Sequence, residues 1–92
     1  MSPPTLQLRK QIDAIDREIL RSLSKRMALI KSVAKYKVKN GLKVRDTKRE
    51  INVIKVMVLF GNKLGLRSSF VKIIGKELLS ESKRVQKRIK EK

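Results

Sequence analysis

LRKQIDAIDREILRSLSKRMALIKSVAKYKV, residues 8–38, is the stretch that decides the fold. Ile12, Ile15, Ile19, Leu23, Ile30 and Val33 recur at close to the helical repeat, which predicts one long amphipathic helix. At about 100° per residue, Arg26 falls within about 20° of Ile19 and Val33, and Lys37 lies on the same face. A cation carried into an apolar seam is costly unless an anion meets it there. Two such cations about three turns apart suggest a pocket for a small, multiply anionic ligand. The other reading is that both side chains snorkel to solvent or pair with Asp or Glu of another helix. This segment alone does not separate the two.

Working outward, Pro3-Pro4-Thr5 reads as a lead-in with Thr5 as N-cap, and Asn40-Gly41 supplies a left-handed stop after Val38 or Lys39. Asn40 to Asp46 reads as a loop. Thr47-Lys48-Arg49-Glu50 matches a capping box, with Asp46 as a competing N-cap, and opens a second helix over 47–63. Gly61 and Gly65 flank its end. Ser68-Ser69 caps a third helix, expected over 69–89, with Phe70, Val71, Ile74, Leu78 and Leu79 on its buried face. No β-like alternation, repeat or linker interrupts this pattern. The expected fold is all-α, three helices in the order long, short, medium. It occupies a single domain, 1–92, with a lead-in over 1–5 and a basic tail over 87–92. At about 1.5 Å per residue the first helix is some 50 Å long, more than a compact chain of this size can cover. Two long helices packed side by side in an intertwined homodimeric bundle would cover it.

Composition narrows the chemistry. The 92 residues contain no cysteine and no histidine. Disulfides, Cys-based metal sites and Ser-His-Asp or Cys-His nucleophilic sites are therefore excluded, and the usual general base and commonest metal ligand are missing. No apolar run is long enough to span a bilayer and residues 1–5 carry no signal core, so a soluble, cytoplasmic protein is expected. With 25 Lys plus Arg against 8 Asp plus Glu, the formal charge is +17. Such a surface attracts anions of any kind. Tyr36, Phe60 and Phe70 are the only aromatics, too few for recognition of single strands by stacking.

The remaining oddities lie in the second and third helices. Past Leu78, the buried face continues into Ser82 and Gln86, spaced i, i+4, which offer neutral donors and acceptors. Asp46 and Glu50 lie one turn apart at the start of the second helix, a pair that by itself reads as capping.

Taken in order, these residues resemble the all-helical class of chorismate mutase from Leu8 to about Gln86. Leu8-Arg9 through Ile12-Asp13 and Ile15-Asp16 is similar to the family's LRxxIDxID opening. Arg26 and Lys37 match its mid-helix cations, Val44-Arg45-Asp46 through Arg49-Glu50 its VRDxxRE signature, and Ser82 with Gln86 its third-helix pair. The resemblance implies the Claisen rearrangement of chorismate to prephenate on the route to phenylalanine and tyrosine. This single pericyclic step needs no nucleophile, metal or cofactor, so the resemblance implies none. It implies that Arg26 binds one substrate carboxylate, and that Arg9 reaches another from across the dimer. Lys37 would bridge a carboxylate and the ether oxygen, to which Gln86 would donate a second hydrogen bond. Glu50, with the backbone near Asp46, would hold the ring hydroxyl. Ser82 would touch a carboxylate, and Arg49 would line the pocket. A partnership with another enzyme of the shikimate pathway is compatible with this picture. Because the sequence given ends soon after the third helix, no feedback site for an amino acid is expected within it. Two other readings fit parts of the chain. An isochorismate-pyruvate lyase on the same fold would use a similar cationic pocket. A basic helical nucleic-acid-binding protein would account for the charge but not for Arg26, Lys37, Ser82 and Gln86 on buried faces.

Overall fold

The computed structural model describes residues 3–91 and places them in three helices, with no strand among the described residues. These are α1, Pro4–Lys39, α2, Thr47–Lys63, and α3, Ser68–Glu91. Met1 and Ser2 of the expected lead-in, and Lys92 of the expected tail, lie outside the described residues.

The helix ends follow local chemistry. α1 starts earlier than Thr5: Pro3 is the N-cap and Pro4 occupies the first helical position. A proline there loses nothing, because its missing N–H would have been unpaired and its φ is already helical. Thr5 therefore lies inside the first turn instead of capping it. At the other end Asn40 is the C-cap and Gly41 has φ 66°, the left-handed turn expected of Asn-Gly. At α2 the two competing caps resolve in favour of Asp46, whose Oδ1 accepts from the Arg49 N–H at 3.0 Å. The Thr47–Glu50 capping box does not form, because the Glu50 carboxylate is engaged by α3. α3 continues to Glu91, so residues 87–91 of the expected tail are a solvated helix end.

α3 packs against both α1 and α2. Its seam with α2 is built from small residues. A Cβ on Gly61 would stand 2.6 Å from Val71 Cγ2, and one on Gly75 would stand 2.6 Å from Ile54 Cδ1. The two backbones approach where these glycines sit, and Val71, Gly61 and Gly75 are buried. Phe70 and Ile74, expected on the buried face, are 46% and 38% exposed. Leu78 and Leu79 are half-buried as that face turns toward α1.

The long helix is poorly covered. From Pro4 to Ser22 every residue of α1 is exposed except half-buried Ala14, and Ile12, Ile15 and Ile19 each leave more than half their surface in water. The radius of gyration is 17.0 Å, against about 12 Å for a compact chain of this length. Only the second half of α1, around fully buried Ala34, belongs to the packed body. That half holds Arg26 and Lys37.

Candidate active site

α1 and α3 run in the same direction, and their polar side chains meet in two pairs. Arg26 donates from Nη1 to Ser82 Oγ at 2.6 Å, and Lys37 donates from Nζ to Gln86 Oε1 at 2.9 Å. Arg26 and Lys37 are about 16 Å apart along α1, whereas Ser82 and Gln86 are one turn, about 6 Å, apart on α3. The long cationic side chains therefore converge from above and below on one short stretch of α3. Between the helices lies a cavity of about 150 Å³. Arg26, Lys37, Asp46, Arg49, Glu50, Ser82 and Gln86 line it, over an apolar wall of Ile30, Val33, Val44, Val53 and Leu79.

Each polar group is held by its own local structure. Lys37 sits in the last turn of α1, where unpaired carbonyls favour a cation, and its Nζ also donates to the Val44 carbonyl at 2.9 Å. This bond ties the 40–46 loop to the helix end. Two of the three ammonium protons are thus committed, and one is left for a ligand. Gln86 presents its oxygen to Lys37, which leaves its amide N–H groups as donors. Ser82 passes its own proton to the Leu78 carbonyl at 2.7 Å and accepts from Arg26 with its lone pair. Ser82 and Gln86 are 3% and 6% exposed, so the continuation of the buried face into polar residues holds.

Burial, and then the nearby Arg49 guanidinium, push the Arg26 pKa below its usual value. An arginine stays charged at neutral pH regardless, so both effects amount to an unmet demand for an anion. Neither Arg26 nor Lys37 pairs with a carboxylate among the described residues. The alternative in which acidic side chains from another helix neutralise them is thereby corrected.

Glu50 completes the site from the first turn of α2, where the helix N-terminus favours a carboxylate. Its Oε1 accepts from Lys83 Nζ at 2.9 Å. Its Oε2 is buried, accepts no hydrogen bond among the described residues, and forms a longer ion pair with Arg45 Nε at 3.8 Å. Lys83 is the charged lining residue that sequence reasoning missed, one of a run of cations late in α3. The one available signal is its spacing of i, i+4 from Leu79, which places it on the face turned toward α2. Arg9 is the one expected site residue not brought to the cavity. It is exposed on the second turn of α1, about 25 Å along the helix from Arg26, beyond the reach of any side chain.

Four cations and two carboxylates around an apolar wall suit a small dianion with a hydroxyl group. A larger hollow of about 560 Å³ opens to solvent beside Arg45, Lys83, Lys87 and Lys90, but it lacks such convergence.

A family model described as chorismate mutase type II matches residues 8–87. Similar proteins include a bifunctional chorismate mutase/prephenate dehydratase of Buchnera aphidicola subsp. Acyrthosiphon pisum, 29% identical over 84 residues that make up 91% of this chain and 22% of that protein. The counterpart from Buchnera aphidicola subsp. Schizaphis graminum is 30% identical over the same shares of each chain. The T-protein of Haemophilus influenzae is 31% identical over 75 residues, 82% of this chain and 20% of that one. The chain spans about a fifth of the length of the curated relatives it matches.

Proposed function

Because this chain belongs to the type II chorismate mutase family, we propose that it catalyses the rearrangement of chorismate to prephenate, as a homodimer in the cytoplasm. The observation that carries this reading is the pair of contacts Arg26–Ser82 and Lys37–Gln86, which aim two cations and a neutral amide into one cavity.

The reaction has no nucleophile and no proton to move. What accelerates it is a fixed chair-like substrate and hydrogen bonds to the ether oxygen, on which negative charge grows as the C–O bond breaks. Arg26 binds one carboxylate. The free proton of Lys37 reaches the ether oxygen and a neighbouring carboxylate, and the Gln86 amide donates to the same oxygen. Glu50 accepts from the ring hydroxyl through Oε2, a buried oxygen that accepts no hydrogen bond among the described residues. Ser82 and Arg49 border the carboxylates, with the Asp46 backbone beside the hydroxyl.

The second carboxylate falls to Arg9 of the partner subunit. Two α1 helices packed along their exposed stripes would bury Ile12, Ile15 and Ile19 and carry each Arg9 across to the other cavity. The Buchnera relatives are named for a chorismate mutase and a prephenate dehydratase in one protein, so association with an enzyme that consumes prephenate extends the same reading.

The test is purified protein with chorismate, following the loss of chorismate absorbance and identifying the product by chromatography. Enzymatic formation of prephenate is expected. Chorismate left unconsumed above its spontaneous rate overturns the assignment.

A further inference from the structure

We propose that Lys83 is a positioning residue for the reaction. It pins one oxygen of Glu50 so that the other faces the substrate hydroxyl. This rests on the chorismate mutase reading of the cavity.

Of the cations in the second half of α3, Lys83 alone turns into the cavity. Arg84 is engaged with Glu81, and Lys87, Arg88 and Lys90 are exposed. Among the described residues, its Nζ makes the only hydrogen bond that the Glu50 carboxylate receives, 2.9 Å to Oε1. The Glu50 side chain is 18% exposed and that of Lys83 is 39% exposed, so the contact is only partly screened by water. Arg45 stands 3.8 Å from Oε2, beyond hydrogen-bonding range, on a side chain 71% exposed.

The terminal torsion of a glutamate is broad and nearly two-fold, so a carboxylate with no fixed partner presents either oxygen in a range of directions. A donor on Oε1 removes that freedom and leaves Oε2 buried and without a hydrogen bond among the described residues, ready to accept from a hydroxyl. Lys83 also offsets the Glu50 charge. Without it, only the exposed Arg45 guanidinium at 3.8 Å would offset a carboxylate that opposes binding of an anion. An ordinary ion pair bracing α2 against α3 would share the distance but not the buried second oxygen that accepts no hydrogen bond among the described residues.

The experiment compares wild type, Lys83→Met, Lys83→Arg, Glu50→Gln and the Lys83→Met/Glu50→Gln double variant, measuring kcat, KM and thermal unfolding. Methionine keeps the apolar stem of the lysine and removes its charge. Lys83→Met is expected to lose about tenfold or more in kcat/KM through misplacement of Glu50, while Lys83→Arg restores most of the loss. In the Glu50→Gln background, Lys83→Met is expected to change the kinetics no further. Wild-type turnover of chorismate with Lys83→Met within twofold of it, or with additive effects in the double variant, overturns the role of Lys83 alone. Wild type inactive on chorismate overturns the cavity assignment, and the proposal with it.

Discussion

Replacing Lys37 by alanine should separate activity from stability. Lys37 Nζ donates to Val44 O and to Gln86 Oε1, each at 2.9 Å, and keeps one proton for the cavity. If that proton meets the oxygen on which charge develops, its loss should lower kcat on the order of 10²–10³-fold, equivalent to about 3–4 kcal/mol. The cost to the fold is smaller. Two acceptors lose a charged donor, worth about 1.5–3 kcal/mol each in a sealed interior. Here the vacated space opens onto a cavity wide enough for water to take over, so about 1–2 kcal/mol in total is expected. Initial rates give kcat and KM, and thermal melting at the same protein concentration gives the stability change. A well-folded Lys37→Ala protein within tenfold of wild-type kcat would refute the assigned donor. A loss of activity that only tracks the folded fraction would do the same.

Three other outcomes test the architecture. Arg9→Ala and Arg26→Ala should each be inactive, and dissociating and re-forming a mixture should restore about a quarter of the sites; heterodimers without activity would exclude a shared site. Ile15→Glu, placed on the exposed α1 stripe, should dissociate the dimer and unfold the chain at micromolar concentration, and sedimentation of the wild type as a monomer would contradict the basis for this. Gly61→Ala should lower the urea midpoint by about 1–2 kcal/mol of stability despite the better helix propensity of alanine, because its Cβ meets the stiff, buried Val71 at 2.6 Å. Gly75→Ala should be closer to neutral, since Ile54 Cδ1 is the movable end of a longer side chain; the reverse order would count against this account of the seam.

The parts of this molecule that sequence made legible are those that rest on periodicity and local caps. The apolar repeat located α1, Asn40-Gly41 its end, and Asp46 the start of α2, because each acts over a few residues. Ser82 and Gln86 stood out for a different reason: polar residues that continue an apolar face need partners, and Arg26 and Lys37 on another helix needed partners too. Lys83 was hidden because a basic run, Lys83 to Lys92, contains no local clue to which cation turns inward. That depends on Glu50, 33 positions away. The α2–α3 seam was hidden because glycines carry no hydrophobic signal. The large apolar residues Phe70 and Ile74 carry that signal instead, yet the fold leaves them exposed.

The choice of partners for the cations bears most directly on what the cavity is for. A cation buried for stability alone is best served by a carboxylate, which neutralises it and supplies hydrogen bonds. Positions 82 and 86 of α3 would accommodate Asp or Glu, yet they hold Ser and Gln. A hydroxyl and an amide fix the direction of Arg26 and Lys37 as well as a carboxylate would, but they leave the charge available. Acidic side chains near the cavity are committed elsewhere: Asp46 caps α2, and Glu50 Oε1 receives Lys83. What remains is Arg26 and Lys37, oriented but not neutralised, with Arg49 beside them and Arg26 already destabilised as a cation by burial and by Arg49. Such a site raises the energy of the empty protein and recovers it when an anion enters, so a dianion should stabilise the fold as it binds. If the substrate is the one proposed, donors fixed before it arrives leave little reorganisation for the moment when the ether bond breaks, where electrostatic catalysis gains most.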